Sequence, residues 1–429
     1  MEHRWESAVD EEHRPCTSVT DNSFHSSHGR PRSFIQQYSR QMLVKEFGTA
    51  AQCSLSLGSV LVVGCGGLGS PAALYLAGMG VGVIGLADLD VVETSNLHRQ
   101  IAHTCAFVGC SKVASCAAAC LARNPTVSVV QHTRGIFPAN ALCTLSRYDV
   151  VLDCCDDLST RYLLSDACTC LGKPLVSGAA VATEGQLSVY AARAGAACYR
   201  CVFPCVSSAG DAEGACDVVG VIGAVPGVIG TLQAVEAVKL LTGKGIPLCG
   251  KILIYDALSA CPFHVLNTRK DCNHLCATCG TTRSITKQSI AKYDYHAFVS
   301  SSSMGTTCSS QNDMNFSIVR ATVEQLAEHL RTGQALVIDV RPENQFKISF
   351  LPGSMNFPYS QLNSYIEDIR VNISKSEKHG KRAFIICRRG NDSQKAVQAL
   401  KQYGITRVLD VQGGLELWQS EIDRQFPLY

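Results

Sequence analysis

Three sets of residues in this chain combine type and spacing in a way that could do chemistry. The first is Gly64-Cys65-Gly66-Gly67-Leu68-Gly69, a G-x-G-x-x-G run. It follows the strand-like Val60–Val63 and precedes a predicted helix over Pro71–Met79. Glycines there let a backbone approach a phosphate, and a helix N-terminus favours negative charge. Asp88 ends the next strand-like run, Val81–Ala87, where a carboxylate can accept bonds from ribose hydroxyls. Alone, the run fits a nicotinamide dehydrogenase as well as a nucleotide-activating enzyme. The second set is two C-x-x-C pairs, Cys198/Cys201 and Cys276/Cys279, with 74 residues between them. Four thiolates can close a tetrahedral zinc shell. A redox pair, or replacement of one ligand by nearby Cys272 or His274, are the alternatives. The third set is two candidate nucleophilic thiols. Cys216 stands in the glycine-rich run Gly214–Gly223, and Cys387 ends a buried-type strand over 383–387, ahead of a helix over 393–403. Because the chain has 23 cysteines, a small packing role is the alternative for Cys216.

Positioning such groups needs more than one core. At 429 residues, two domains plus tails are expected. The formal charge is +2, from 38 basic and 36 acidic residues, which argues against a dedicated nucleic-acid binder. The start, Met1-Glu2-His3-Arg4-Trp5-Glu6, has no signal-like apolar stretch. Reduced cytosolic thiols are therefore the expectation. Val60–Ala87 is uncharged but carries eight glycines and Pro71, and uncharged Val218–Val235 is broken by glycines and Pro226. Both read as buried α/β core, not membrane spans. Residues 1–33 are polar and aperiodic and read as a disordered tail. A helix is expected over Tyr38–Phe47, carrying Arg40, and a strand over Val150–Leu152. Residues 286–315 read as a linker, most clearly in the Ser-rich run 300–315. Beyond it the α/β pattern restarts, with a helix over 323–330 and a strand over 335–339.

Asp88-Leu-Asp90-Val-Val-Glu93-Thr-Ser95-Asn96-Leu97-His98-Arg99-Gln100, followed by Lys112, narrows the choice. With Tyr38-Ser-Arg-Gln41, Asp153-Cys-Cys-Asp156, Thr160-Arg-Tyr162, Glu184-Gly-Gln186 and Tyr255-Asp-Ala-Leu258, it resembles the adenylating domain of the ubiquitin-activating superfamily. The branch is the one serving molybdopterin synthase and thiamine biosynthesis. The resemblance implies a Rossmann-like domain over 34–285, with a structural zinc at Cys198, Cys201, Cys276 and Cys279. It also implies ATP and Mg2+ as cofactors. Gly67, Ser95, Asn96, Leu97 and His98 would belong to the nucleotide site, with Asn96 hydrogen-bonding the phosphates that Arg99 and Lys112 neutralise. Asp88 would hold the ribose and Asp156 the magnesium, while Arg40 would reach into a partner subunit, implying a homodimer. The family usually has Asn where Asp157 stands. In the eukaryotic members a cysteine at the position of Cys216 attacks the acyl-adenylate, with an acidic residue where Val218 stands here.

Residues 316–429 resemble a rhodanese-type sulfurtransferase. The resemblance rests on Val337-Ile-Asp339-Val-Arg341, Leu351-Pro-Gly353, Asn356-Phe-Pro358, Cys387-Arg-Arg-Gly-Asn-Asp-Ser393 and Gly413-Gly414 with Trp418. It implies a second α/β domain in which Cys387 carries a persulfide in a ring of backbone N–H groups. Arg388 and Arg389 would face an anionic donor, while Asp339 and Arg341 would brace the fold. Ser349-Phe350 stands where Gly-His is common, a change expected to be neutral. The fusion is similar to the eukaryotic adenylyltransferase–sulfurtransferase family of molybdenum cofactor synthesis. Its members activate two ubiquitin-like proteins ending in Gly-Gly, the small subunit of molybdopterin synthase and a ubiquitin-related modifier that supplies sulfur for tRNA wobble-uridine thiolation. The implied sulfur donor is a cysteine desulfurase. The linker would let Cys387 swing to the adenylate.

Overall fold

The computed structural model describes residues 31–205, 220–303 and 320–427. The chain divides into two compact units near residue 307. In the first, runs rich in β-branched residues build five strands, buried but for the edge strand at 128–132. They are β1 (Ser59–Val63), β2 (Val83–Ala87), β3 (Ser128–His132), β4 (Val150–Asp153) and β5 (Leu175–Val181). These pair in parallel in the order β3-β2-β1-β4-β5. Antiparallel β6 (Glu184–Tyr190), β7 (Lys251–Asp256) and β8 (Phe263–Asn267) extend the sheet beyond β5. Strand order reverses between β1 and β4, and the crevice at their carboxyl ends is where such sheets bind ligands.

The helices are α1 (Arg32–Met42), α2 (Gly48–Leu57), α3 (Gly69–Met79), α4 (Lys112–Arg123), α5 (Pro138–Leu145), α6 (Leu158–Leu171), α7 (Tyr199–Val202), α8 (Ala224–Thr242) and α9 (Tyr295–Ser303). The single helix expected over 38–47 is instead the hairpin α1–α2. Its two arms converge on the end of α3, where the Met79 carbonyl accepts from Gln41 Nε2 at 2.8 Å and Gln52 Nε2 at 3.0 Å. That satisfies one of the carbonyls a helix end leaves bare. Pro226 does not break α8, because it lies in the first turn, where no intrahelical N–H is needed. By length and composition α8 could cross a membrane, but 44% of its apolar window is buried, and it packs on α3, β5 and β6 as a core helix.

The reading of 286–315 as linker needs correction over 286–303; residues 304–315 lie outside the described residues. Ile285, Ile290, Tyr295 and Val299 are buried in the core around α6. The cause is a buried cation. Arg200 pairs with Asp166 of α6 at 2.9 Å, and both are almost wholly removed from solvent. The guanidinium carbon lies 4.7, 5.4 and 4.3 Å from the ring centroids of Tyr162, Tyr293 and Phe298. Aromatic faces stabilise a desolvated cation, so the chain after 285 closes a cage that α6 and α7 leave open.

The second unit is a parallel sheet. Its strands are β9 (Arg320–Ala321), β10 (Ala335–Asp339), β11 (Met355–Asn356), β12 (Arg382–Ile386) and β13 (Val408–Val411), in the order β11-β10-β12-β13-β9. Its helices are α10 (Val323–Arg331), α11 (Glu343–Ile348), α12 (Ile366–Lys378), α13 (Asp392–Gln402) and α14 (Gly414–Glu421). A capping box between Thr322 and Gln325 starts α10. Asp339 and Arg341 form a buried, bidentate pair that also holds the Ser349 carbonyl, so they brace the fold as the sequence suggests.

Removing one partner of a buried ion pair strands the other charge, which costs about 3–5 kcal/mol. Asp166→Ala should therefore lower the urea midpoint of the first unit by that equivalent, as followed by circular dichroism. Arg331→Ala breaks an exposed pair with Glu328 and should leave the midpoint of the second unit within about 0.5 kcal/mol.

Candidate functional sites

The crevice at the ends of β1 and β4 is a cavity of about 760 Å³. Its floor is the glycine turn. Gly64 has φ +92, and a Cβ there would lie 2.6 Å from the Cys154 carbonyl oxygen. A Cβ on Gly69 would lie 1.8 Å from the Gly64 oxygen, so the turn can close only with glycine at both ends. Asp88 ties the turn to β2. Its Oδ2 accepts from the Cys65 N–H at 2.6 Å and its Oδ1 from the Asp90 N–H at 2.9 Å. Burial pushes the Asp88 carboxyl above its ordinary range, against the opposing pull of those N–H donors and Lys112. Lys112, the first residue of α4, is buried and pairs with Asp90 at 2.8 Å. Arg99 lines the same wall, its Nη1 donating to the Ser95 carbonyl at 2.9 Å beside His98 Nε2 at 2.8 Å. Asp156 is exposed on the facing wall, at the end of β4.

Away from the crevice, the sulfurs of Cys198, Cys201, Cys276 and Cys279 all lie within 4.8 Å of one another. The separations of Cys198 from Cys201, Cys276 and Cys279 are 3.8, 3.5 and 3.6 Å. A tetrahedral ion with metal–sulfur bonds of about 2.3 Å puts its ligands about 3.8 Å apart, so the four fit a zinc-sized ion. Cys272 turns away, its thiol donating to the Cys279 carbonyl, and His274 is not in the group, which removes both as alternative ligands. The residues inside the two pairs anchor the cage to α6. Arg200 binds Asp166, and Thr278 Oγ1 donates to the same carboxylate at 2.6 Å.

In the second unit, Cys387 follows β12 and lies under the N-terminus of α13. Its Sγ accepts from the Gly390 N–H at 3.1 Å and the Ser393 N–H at 3.4 Å. Gly414, at φ +60, lets the backbone after β13 press on this loop; a Cβ there would lie 2.3 Å from the Cys387 carbonyl oxygen. That approach lets Leu415 and Glu416 N–H groups bond the carbonyls of Cys387 and Arg388, both at 3.0 Å. Arg388 and Arg389 each reach Glu416 Oε1 at 3.0 Å. The arrangement presents a buried sulfur, backbone donors and two guanidiniums, a setting that stabilises an anionic sulfur.

Residues 38–278 match the ThiF family, and 322–421 the rhodanese-like domain. Over 418 residues the chain is 44% identical to adenylyltransferase and sulfurtransferase MOCS3-2 of Zea mays, covering 96% of this chain and 85% of that protein. With MOCS3 of Drosophila grimshawi it shares 42% over 403 residues, 92% of this chain and 86% of the other. This chain belongs to the MOCS3 adenylyltransferase and sulfurtransferase family. It is therefore an enzyme with both transferase activities. Among solved structures, E. coli MccB with MccA-N7isoASN superposes with a TM-score of 0.50 at 22% identity, over 58% of this chain and 77% of that one, a likeness of fold.

Against this family pattern the placement of the individual residues is informative. Gly67, Asp88, Arg99, Lys112, Asp156 and Asp157 line one cavity. Ser95, Asn96, Leu97 and His98 do not line it; Ser95 and Asn96 lie in the 3-10 turn Thr94–Asn96, Leu97 caps it, and His98 follows beside Arg99. Asn96 Oδ1 accepts from the Glu93 N–H at 3.2 Å and its Nδ2 donates to Ser95 Oγ at 3.4 Å, so its amide helps hold the turn. Asp157 caps α6, accepting from the N–H groups of Ser159 and Thr160 at 3.1 and 2.8 Å and from both hydroxyls. Asn and Asp are equally good caps, which explains why the family's Asn can become Asp here. Arg40 is exposed on α1, outside the cavity. Cys216 lies outside the described residues.

Sequence reasoning missed His103. Buried, it bridges the Cys65 carbonyl and Ser115 Oγ, both at 2.9 Å, and so braces the glycine turn from beneath. Burial holds its imidazole below the usual value. Its place three residues past Gln100 was the available signal. Glu416, which joins both loop arginines, gave no signal, because it is 27 or 28 residues away in sequence.

Asp157→Ala should lower the stability of the first unit by about 1 kcal/mol and Asp157→Asn by only a few tenths, read as urea midpoints. Burial would raise the Asp157 carboxyl, but its bonds to Thr160 and Ser159 outweigh that and hold it below the ordinary value. The contribution is therefore complete above about pH 4, the unfolded value, and is lost as pH falls through the lower folded value. For the cage, elemental analysis should find one zinc per chain, and Cys276→Ser should abolish it.

Proposed function

We propose that this protein activates the C-terminal glycine of small ubiquitin-like carriers with ATP and then converts it to a thiocarboxylate. The carriers are the small subunit of molybdopterin synthase and the ubiquitin-related modifier. The products would serve molybdenum cofactor synthesis and 2-thiolation of tRNA wobble uridine, with no direct contact between this chain and the RNA. What carries the reading is the Cys387 sulfur, cradled by two N–H donors, in the same chain as a crevice of about 760 Å³ built on a phosphate-type turn. A Gly-Gly tail is slim enough to thread an extended backbone into such a crevice.

In the first half, a carboxylate oxygen of the tail attacks the α-phosphorus of ATP, and the bond to pyrophosphate breaks. Arg99 and Lys112 face the charge that builds on the phosphates, Gly67 lets the backbone approach them, and Asp88 accepts from the ribose. Asp156 would hold Mg2+, which when bound neutralises phosphate charge, while Asp157 remains committed to capping α6. The exposure of Arg40 outside its own crevice supports its serving the crevice of a second copy in a homodimer.

In the second half, the Cys387 thiolate attacks the outer sulfur of a cysteine desulfurase persulfide. A new S–S bond forms, and the desulfurase thiol leaves. The outer sulfur on Cys387 then attacks the acyl carbon of the adenylate, directly or after transfer of the acyl group to Cys216, and AMP or the Cys216 thiolate leaves. A further thiol cleaves the resulting acyl disulfide, releasing the thiocarboxylate and keeping the oxidation as a mixed disulfide. The four-cysteine cage holds zinc with no open position and takes no part in these steps. A reducing, cytosolic setting suits chemistry that needs the Cys387 thiol and the four cage thiolates reduced.

Intact mass spectrometry of a Gly-Gly-ended carrier tests both halves. Incubated with the protein, Mg-ATP and a persulfide donor, the carrier should gain the mass difference of sulfur for oxygen. Cys387→Ser should abolish that gain. An adenylated or enzyme-linked carrier that never gains sulfur would instead make this a ubiquitin-like activating enzyme without sulfur transfer.

A further inference from the structure

Behind the Cys387 sulfur runs a buried chain of hydrogen bonds that the sulfur cradle does not require. Ser393 Oγ lies 3.4 Å from Cys387 Sγ. The same hydroxyl donates to Asp410 Oδ1 at 2.6 Å, and Arg320 Nε donates to Asp410 Oδ2 at 2.7 Å. Ser393 and Asp410 are fully buried. A hydroxyl has one proton, and a carboxylate at that distance is a far stronger acceptor than a sulfur. The proton of Ser393 is thus committed to Asp410, and its oxygen offers Cys387 lone pairs only. It can accept from S–H and cannot donate to S⁻.

The two backbone donors act in the opposite sense. The N–H groups of Gly390 and Ser393 favour the thiolate. We infer that Ser393 and Asp410 form a latch that counterweights this cradle by holding the empty Cys387 in its protonated form, with Arg320 fixing the far oxygen of Asp410. They are positioning residues for the sulfur-loading step. The latch acts only on the unloaded enzyme, because Sγ in a persulfide carries no proton for Ser393 to accept. The inference rests on the reading of Cys387 as the sulfur carrier.

The other charged groups around the loop stay constant in the test. They are Arg388 and Arg389 with Glu416, Asp392 with Lys395, and the Asp339–Arg341 pair at the end of β10. The experiment is the pH dependence of iodoacetamide alkylation in the full chain, read by mass spectrometry on the peptide containing Cys387 so that the other thiols do not interfere. In Ser393→Ala the midpoint should fall by roughly half to one pH unit, the equivalent of one hydrogen bond lost from the thiol form. In Asp410→Asn it should fall further, because the freed hydroxyl can turn and donate to the thiolate. Ser393→Thr, which keeps the hydroxyl, should return the midpoint to the parent value.

A brace without a protonation role would leave all these midpoints unchanged, so an unmoved or raised midpoint in both Ser393→Ala and Asp410→Asn overturns the latch. Cooperative melting by circular dichroism certifies each variant; if Ser393→Ala does not melt cooperatively, the Asp410→Asn profile decides alone. The two readings fail separately. A parent protein whose Cys387 never gains sulfur from a persulfide donor defeats the carrier role, whereas the alkylation profiles judge the latch whether or not sulfur is loaded.

Discussion

The first unit depends on one steric constraint, the closure of the turn between β1 and α3. The chain leaves β1 at Val63 and must clear the Cys154 carbonyl leaving β4, then fold back so that Gly69 touches the Gly64 oxygen. Neither contact leaves room for a Cβ. Once closed, the turn directs backbone N–H groups and the start of α3 toward the point where the strand order reverses. Asp88 from β2 and His103 from beneath then hold it through the Cys65 N–H and C=O. Arg99 and Lys112 only matter because that turn fixes where a phosphate would lie.

Much of this was legible in the sequence because its causes are local. Buried strands such as Val60–Val63 and Ala335–Asp339 are short apolar runs with a period that cannot be mistaken for a surface helix. The glycine turn and the two cysteine pairs are fixed spacings. What was illegible depended on contacts remote in sequence. Gln41 and Gln52 meet at the Met79 carbonyl, and nothing in the ten residues between them points to that distant acceptor. The segment after 285 looked like a linker because its few apolar residues have no period; its aromatic rings find their partner in Arg200, some ninety residues earlier. Asp157 and Asn96 were legible as parts of motifs, and only the structure shows Asp157 on the crevice wall and Asn96 off it. Their side chains satisfy backbone and hydroxyl groups within three residues, which competes directly with any ligand for the same lone pairs.

The two units treat charge in different ways. In the first, the bidentate pair of Arg200 with Asp166 is structural and closed to solvent. In the crevice, Lys112 pairs with an exposed partner and Asp156 stays open. Burial supplies rigidity in one place, and incomplete pairing leaves capacity for a ligand in the other. The second unit keeps both within a few residues. Glu416 spreads one carboxylate over two guanidiniums, so the rim around Cys387 stays net positive even with its arginines held in place.

The helix α6 joins features that would otherwise look unrelated. Its cap, Asp157, borders the crevice, and its ninth residue, Asp166, receives Arg200 and Thr278 from inside the two cysteine pairs. A helix of 14 residues is a rod of about 21 Å, stiff along its axis. Anchored by the cage at its middle and by the crevice at its end, α6 works as a strut. Oxidation or emptying of the cage would slacken the mounting of a crevice that its sulfurs do not line, making thiol chemistry at one place a mechanical condition for phosphate chemistry at another.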